Sequence, residues 1–331
     1  MLKSSLVSVK EFLANRPEGG AIISLLILLI FFSLGTERFA TGKNFLSMLT
    51  LGAEWGILAM GVTLLMISGE FDLSVGSMLG FGGLAAAAMV DAGVPTPISV
   101  VIILIVCIAF GLLQGIGVVK LGLPSFIITL GGLLVLQALS YIVFFNIGGG
   151  RFLSVPRGDA FYQIFNYRFE SGFRVTALWF LGVAVIFFLI LHWTRFGNWI
   201  FATGGNKLAA IQAGVPVNRV KIILFGLTAG LAGLAGIIQM TRFSTIGPAR
   251  GVSLEMYLIA MVVMGGTRLS GGYGSVMGTL FGVFMMASIK NGLVYMKVSG
   301  YWLDAVVGIA ILIAVIINTH SQRRVLGVSH E

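Results

Sequence analysis

The chain has 331 residues, of which 57% are hydrophobic and 10% charged, with a formal net charge of +9. A soluble domain carries about 45–50% apolar and about 25% charged residues, so there is too little polar surface for a soluble fold of this length, and a cytosolic enzyme is excluded. Disorder is excluded too, because disordered chains are poor in apolar residues; the composition is that of an all-α polytopic membrane protein with room for roughly ten spans of about 20 residues.

In chain order, Lys3, Lys10 and Arg16 precede an apolar stretch from Ala21 to Leu34. Gly35-Thr36-Glu37-Arg38 follows rather than a small-residue cleavage site, so a retained first span is expected, not a removed signal. Apolar segments run over about 20–35, 45–67, 73–90, 98–118, 125–146, 176–193, 220–240, 255–267, 275–293 and 301–317. Several are short, and short apolar segments read as tilted, broken or re-entrant helices, which a membrane tolerates where protein covers the backbone. No linker divides the chain, so residues 1–331 are expected to form a single membrane domain.

The 21 Lys and Arg split almost evenly between the two sides. The basic N-terminal flank places the N terminus inside, and an even number of spans then puts residues 1–19 and 318–331 both in the cytoplasm. The basic balance fits spans flanked by cations that meet anionic lipid headgroups, not a nucleic-acid partner. The single cysteine, Cys107, lies within an apolar run, and His192, His320 and His330 make no metal-ligand spacing. Many of the 46 glycines recur at helical spacing, among them Gly76, Gly80, Gly83, Gly233 and Gly236. Small residues of this kind let membrane helices approach closely. A weak internal echo links Leu73-Ser74-Val75-Gly76-Ser77 with Leu269-Ser270 and Gly274-Ser275-Val276, and many transporters are built from repeats.

Two loops exceed linker length. The first, about 147–175, carries Arg151, Arg157, Arg168 and Arg174 among aromatic residues and is expected outside. The second, 194–219, is expected in the cytoplasm. Within it Asn206 can cap a helix that Lys207 to Ala213 would form, Gly214 suits its stop, and Pro216 prevents continuation. This is either an ordinary interfacial helix or one that docks a partner.

That loop, Gly204-Gly205-Asn206-Lys207-Leu208-Ala209-Ala210 through Gly214, resembles the coupling-helix loop of ATP-binding-cassette importer permeases of the ribose/xylose/arabinose/galactoside type. The resemblance continues in Gly69-Glu70-Phe71-Asp72-Leu73-Ser74-Val75-Gly76-Ser77, in Leu123-Pro124-Ser125-Phe126, and in Gly265-Gly266-Thr267-Arg268-Leu269-Ser270-Gly271-Gly272 through Thr279. It spans roughly residues 20–317. The family usually has glycine then isoleucine where this chain has Glu70 and Phe71. The resemblance implies a dimer of permease subunits in a bacterial inner membrane, two cytoplasmic ATPases that engage the coupling helices, and a periplasmic binding protein that delivers a sugar or similar solute. It also implies alternating access and assigns Gly205, Asn206, Ala209, Ala210 and Gly214 to the coupling loop, the small alanines letting the helix sit close in an ATPase groove. Leu269-Ser270-Gly271-Gly272 looks like an ATPase signature, but the chain has no phosphate-binding Gly-x-x-x-x-Gly-Lys-Ser/Thr loop. ATP and magnesium therefore belong to the partner, and no cofactor of the chain's own is expected.

Ionisable groups inside spans are functional candidates. Glu54 beside Trp55 is the clearest for the translocation path, as a hydrogen-bonding group next to a ring suits a sugar; the alternatives are a carboxyl paired within the bundle or one simply near the outer interface. Gln114, Gln137, Glu255, Asn291 and Asp304 are weaker path candidates. Glu255 and Asp304 fit first helical turns, where negative charge is favoured, and Asp72 fits a cap for the third span. Arg151 and Arg157 are candidates for docking the binding protein by charge complementarity, with solvated or lipid-facing arginines as the alternative. The rival to the importer is an ion-coupled secondary transporter of a small polar solute; an intramembrane enzyme has no nucleophile–base or metal-spaced motif in its favour.

Overall fold

The computed structural model describes residues 18–154 and 160–326. The helices are α1 (Gly19–Gly35), α2 (Gly42–Ile67), α3 (Val75–Asp91), α4 (Thr96–Leu121), α5 (Ser125–Ile142, continued by a π-turn over Val143–Ile147), α6 (Ala160–Asn166), α7 (Thr176–Trp193), α8 (Arg195–Gly205), α9 (Lys207–Gln212), α10 (Val217–Phe243), α11 (Leu254–Met264), α12 (Val276–Tyr295) and α13 (Tyr301–Leu326). Six of these are long and apolar enough to cross a membrane: α2, α4, α5 with its π-turn, α7, α10 and α12. The apolar parts of α1, α3, α11 and α13 are shorter. The all-α polytopic class is thus found, and each apolar segment read from the sequence coincides with a helix.

The core is built around α2. From Gly52 to Ile67 every residue of this helix is buried, because α10, α12, α7, α11 and α8 all pack on it. A helix enclosed on all sides can be apolar all round, so its sequence shows no stripe. Its start is set locally: Thr41 accepts the amide of Asn44 at 3.3 Å, and Asn44 in turn donates to the Phe39 carbonyl at 2.8 Å. The second long helix, α10, crosses α3 and α4 at glycines. A Cβ on Gly83 would lie 2.6 Å from the Gly236 carbonyl oxygen, and one on Gly236 would lie 2.2 Å from that of Leu79. Those glycines serve packing, as their spacing suggests.

Helices α4, α5 and α7 turn rows of large apolar side chains outward, including Val101, Ile105, Leu134, Leu181 and Ile186. Among the described residues no protein packs over these faces, which is the arrangement a lipid-facing surface requires. Proline and glycine mark the helix starts and stops. Pro95 and Pro124 precede α4 and α5, and Gly122 ends α4 in the left-handed region.

The described residues of the segment between α5 and α7, which leave out 155–159, are more ordered than an open loop. Leu153–Ser154 (β1) pairs antiparallel with Thr245–Ile246 (β2), a small exception to the all-α expectation. Helix α6 is tied to the end of α10: Asn166 donates to the Thr241 carbonyl at 3.0 Å and to the Tyr162 hydroxyl at 2.7 Å. Arg174 donates to Asn166 Oδ1 at 2.5 Å, and Trp179 Nε1 donates to the Ile164 carbonyl at 2.9 Å.

Candidate functional site

The loop between α7 and α10 folds as the sequence predicts. Asn206 ends α8 and starts α9, its Oδ1 accepting the amide of Ala209 at 3.0 Å. Gly214 takes φ +77, which a residue without a Cβ adopts freely. The amides of Gly214 and Val215 then close back on the carbonyls of Ile211 and Ala210 at 3.0 and 2.9 Å, the paired bonds of a Schellman stop. Ala209 is exposed, but Ala210 is only 4% exposed and faces its own bundle. Of the two small residues assigned to a partner groove, Ala210 therefore packs within the chain. The outward face carries instead Leu208 and Ile211, 74% and 50% exposed, at the three-residue spacing that shares one side of a helix.

This short helix is joined to the core through backbone contacts. Gly204, at the end of α8, lies so close to the end of α2 that an added Cβ would sit 1.9 Å from the Ile67 carbonyl oxygen and 2.7 Å from the Gly272 nitrogen. Gly272 donates its amide to that same Ile67 oxygen at 2.8 Å. Gly271 and Gly272 hold φ of +79 and +71, and a Cβ on Gly271 would lie 2.8 Å from Gly69 Cα. Three segments distant in sequence thus meet where only glycine fits.

The same end of the bundle gathers the remaining motif residues. Ser125 Oγ accepts the amide of Phe71 at 3.1 Å. Glu70 forms an ion pair with Lys221 of α10, both side chains about nine-tenths buried. Asp72 Oδ1 accepts from the amide and hydroxyl of Ser74 at 2.7 and 2.6 Å. It therefore braces the turn before α3 rather than capping the helix's first-turn amides. Burial pushes the Asp72 carboxyl up to about 6, against the hydrogen bonds from Ser74, and its second oxygen is buried without a hydrogen-bond partner among the described residues. Gln114 belongs here too, donating to Ser74 Oγ at 3.0 Å. So all four motifs that carry the family resemblance converge on one joint.

A second polar cluster lies toward the opposite end, where α2 begins and α10 finishes. Glu54, 1% exposed, is paired with Arg242 at 2.5 Å and accepts from Gln239 Nε2 at 3.3 Å. The carboxyl is thus paired within the bundle, one of the alternatives the sequence leaves to a place on the path. Trp55 stacks on Tyr257 with ring centroids 6.0 Å apart, Lys290 Nζ lies 4.6 Å from the Trp55 ring centroid, and Tyr257 donates to Asp304. Asn291, next to Lys290, donates to Asn44 at 2.8 Å and fastens α12 to the start of α2.

The path candidates are not all brought together. Glu54, Trp55 and Asn291 share this end, whereas Gln114 is at the other. Gln137 is half-buried on α5, which packs chiefly on α3 and α4 and away from the Glu54 cluster. Arg151 is exposed and bridges to Asp91 at 2.7 Å; Arg157 lies outside the described residues. Sequence reasoning missed Gln239 and Arg242, three apart on α10, and Lys290, which falls inside an apolar segment and carries the same signal that singles out Glu54. No group of three or more His, Cys, Asp and Glu side chains able to hold a metal occurs among the described residues.

Residues 44–315 match the family described as branched-chain amino acid transport system / permease component. The chain belongs to this permease family. It is 33% identical over 322 residues to the ribose import permease protein RbsC of Escherichia coli strain K12, covering 92% of this chain and 94% of that one. It is 34% identical over 299 residues to RbsC of Bacillus subtilis strain 168, covering 90% and 92%. It is also 33% identical over 310 residues to the xylose/arabinose import permease protein XylH of Sulfolobus acidocaldarius, covering 90% and 83%. The permease is a multi-pass membrane protein and a component of an ATP-binding-cassette importer, which sets aside the ion-coupled carrier.

Proposed function

We propose that this permease carries a sugar or a related polar solute across the inner membrane through about ten spans, as one of a pair of permease subunits. In this reading ATP is hydrolysed on separate cytoplasmic chains, a periplasmic protein delivers the solute, and the permease holds no cofactor of its own. Both termini and the α8–α9 segment face the cytoplasm. The relatives named for ribose and for xylose/arabinose import support the solute class.

One observation carries the coupling role: α9 is capped at both ends and presents Leu208 and Ile211 away from the bundle. Full burial of such a side chain stabilises an interface by about 1.5–3 kcal/mol. Gly205, Asn206, Ala209, Ala210 and Gly214 give α9 its shape, and Ala210 fixes it to the bundle. Movement of α9 would reach α2 through Gly204 and the α11–α12 loop through Gly272, so a partner that pulls the short helix would tilt the central one.

The test is co-purification from mild detergent with an ATPase assay. Leu208→Asp combined with Ile211→Asp is expected to remove the ATPase subunit while the permease remains folded and in the membrane. Retention of the ATPase with full solute-stimulated hydrolysis would overturn the assignment of α9. Arg151→Gln tests docking of the binding protein separately, by a weaker stimulation of ATP hydrolysis at low salt.

A further inference from the structure

The cluster around Glu54 holds more positive charge than its own carboxylate can balance. Arg242 pairs with Glu54 directly, and Arg174, Arg250 and Lys290 stand within electrostatic reach of the same group. Asp304 engages Tyr257, and Glu255 lies against Gly76; among the described residues neither comes within ion-pair distance of a cation. Lys290 is half-buried within α12, with its Nζ over the face of Trp55. Arg250 likewise lies over a ring, 4.5 Å from the centroid of Phe243. An ammonium half-buried on a membrane helix and in no ion pair among the described residues is costly, and is by default a candidate for a solute or ion path.

One further feature describes the ligand that would satisfy these cations. Gln239 is 6% exposed; its amide nitrogen is committed to Glu54, and its Oε1 is buried with no hydrogen-bond partner among the described residues. A buried acceptor of this kind calls for a donor, and a hydroxyl supplies one. Trp55 is closed on one face by Tyr257 and on the other by Lys290, so its ring holds the ammonium in place and offers no free face. An anion and a hydroxyl donor are thus wanted around Glu54.

We propose that this cluster binds the solute in transit and that the solute is a small polyhydroxylated anion, a sugar carboxylate or a sugar phosphate. Its charge meets Lys290 and Arg250, and a hydroxyl donates to Gln239 Oε1. The inference rests on the permease reading and narrows its solute class. An acidic face of the binding protein would suit the arginines but not the rest. Trp55 is 5% exposed, and Glu54 lies twelve residues into α2 from Gly42, about 18 Å along the helix, deeper than a docked surface reaches.

The test is saturation-transfer NMR on the purified permease–ATPase complex, with D-glucuronate and ribose 5-phosphate as anionic probes and D-ribose and D-xylose as neutral ones. At least one anionic probe is expected to be saturated in preference to the neutral sugars; a carboxylate-only or phosphate-only response identifies which anion is read. Lys290→Gln and Arg250→Gln should each weaken that binding about tenfold, the loss of one charge-assisted hydrogen bond, and Lys290→Arg should restore most of it. Neutral sugars saturated as strongly as the anions would overturn the proposal, as would saturation of none of the four. Unchanged saturation in the variants with a weaker response to the binding protein would also overturn it, and would make the cluster a docking surface. Presence of the ATPase in each preparation reports on the permease reading independently, since neither position lies near α9.

Discussion

Gly272 donates its amide to the carbonyl of Ile67 at 2.8 Å, and Gly204 enters the same contact from α8. The last turn of the central helix, the loop between α11 and α12, and the segment carrying the short presented helix are therefore fastened at one point by backbone atoms. Backbone contacts transmit displacement without side-chain slack, which suits a joint between a driven element and the helix it must move.

The joint predicts a sharp difference between two adjacent glycines. Gly204→Ala would place a Cβ 1.9 Å from the Ile67 oxygen, whereas for Gly205→Ala the nearest atom is Gly272 Cα at 3.9 Å. The first is expected to cost about 1–3 kcal/mol or to separate the segments, and the second to cost little. Thermal melts of the two variants in detergent, with ATPase stimulation beside them, make the comparison. Equal behaviour of the two would show that the contact is not tight in the membrane.

The Glu70–Lys221 pair is buried on both sides. Removing one partner of such a pair strands the other, at about 3–5 kcal/mol, while removing both together is often close to neutral. Glu70→Gln and Lys221→Met should therefore each lower the melting temperature, and the double variant should recover most of the loss. A strictly additive double-mutant cycle would mean the pair does not form.

Asp72 gives a pH dependence of definite sign. Its carboxyl is raised from the ordinary 3.8 to about 6 by burial, so between those values the folded chain binds more protons than the unfolded one. Stability from this group is full below about pH 4 and falls as pH rises to about 6, by on the order of 3 kcal/mol. Asp72→Asn, which keeps an acceptor for Ser74, should melt higher than the wild type at pH 7.5, and the difference should vanish near pH 4. An equal difference at both pH values would assign the effect to something other than titration.

Local chemistry was legible in the sequence and distant pairing was not. The cap at Asn206 and the stop at Gly214 depend on residues within five positions, and both were read correctly. The segment 176–193 coincides with α7, and Thr194, which follows it, caps the next helix by accepting the Gly197 amide at 3.2 Å. Ala210 gave no sign of its inward face, since a helix of six residues is too short for periodicity; the apolar Leu208 and Ile211 were the available signal for the outward one. Glu70 stood out as a departure from the family pattern, but its partner is 151 positions away. Gln114 looked like a path residue because a polar group in an apolar segment is ambiguous until its neighbour, here Ser74, is known. The segment 147–175 read as an open loop, although Phe161 and Phe165 are four apart and mark the helix that docks on α10. Lys290 lies inside the apolar segment 275–293, so the rule that singles out Glu54, an ionisable group within a span, applies to it equally.

The Glu54–Arg242 pair is unequal in exposure, and the inequality predicts which half matters more. The Glu54 side chain is 1% exposed and that of Arg242 is 23% exposed. Arg242→Met leaves a carboxylate with no access to water and only Gln239 to donate to it, so a loss of about 3 kcal/mol or more is expected. Glu54→Gln leaves a guanidinium that water still reaches, and keeps an acceptor for it, so a smaller loss is expected. The same two variants act in opposite directions on the cluster's charge: Glu54→Gln makes it more positive and should strengthen binding of an anionic probe, whereas Arg242→Met should weaken it. Melting temperatures read the first effect and probe saturation the second. Stability and anion binding that fell together in both variants would show that Glu54 shapes the site instead of offsetting its charge.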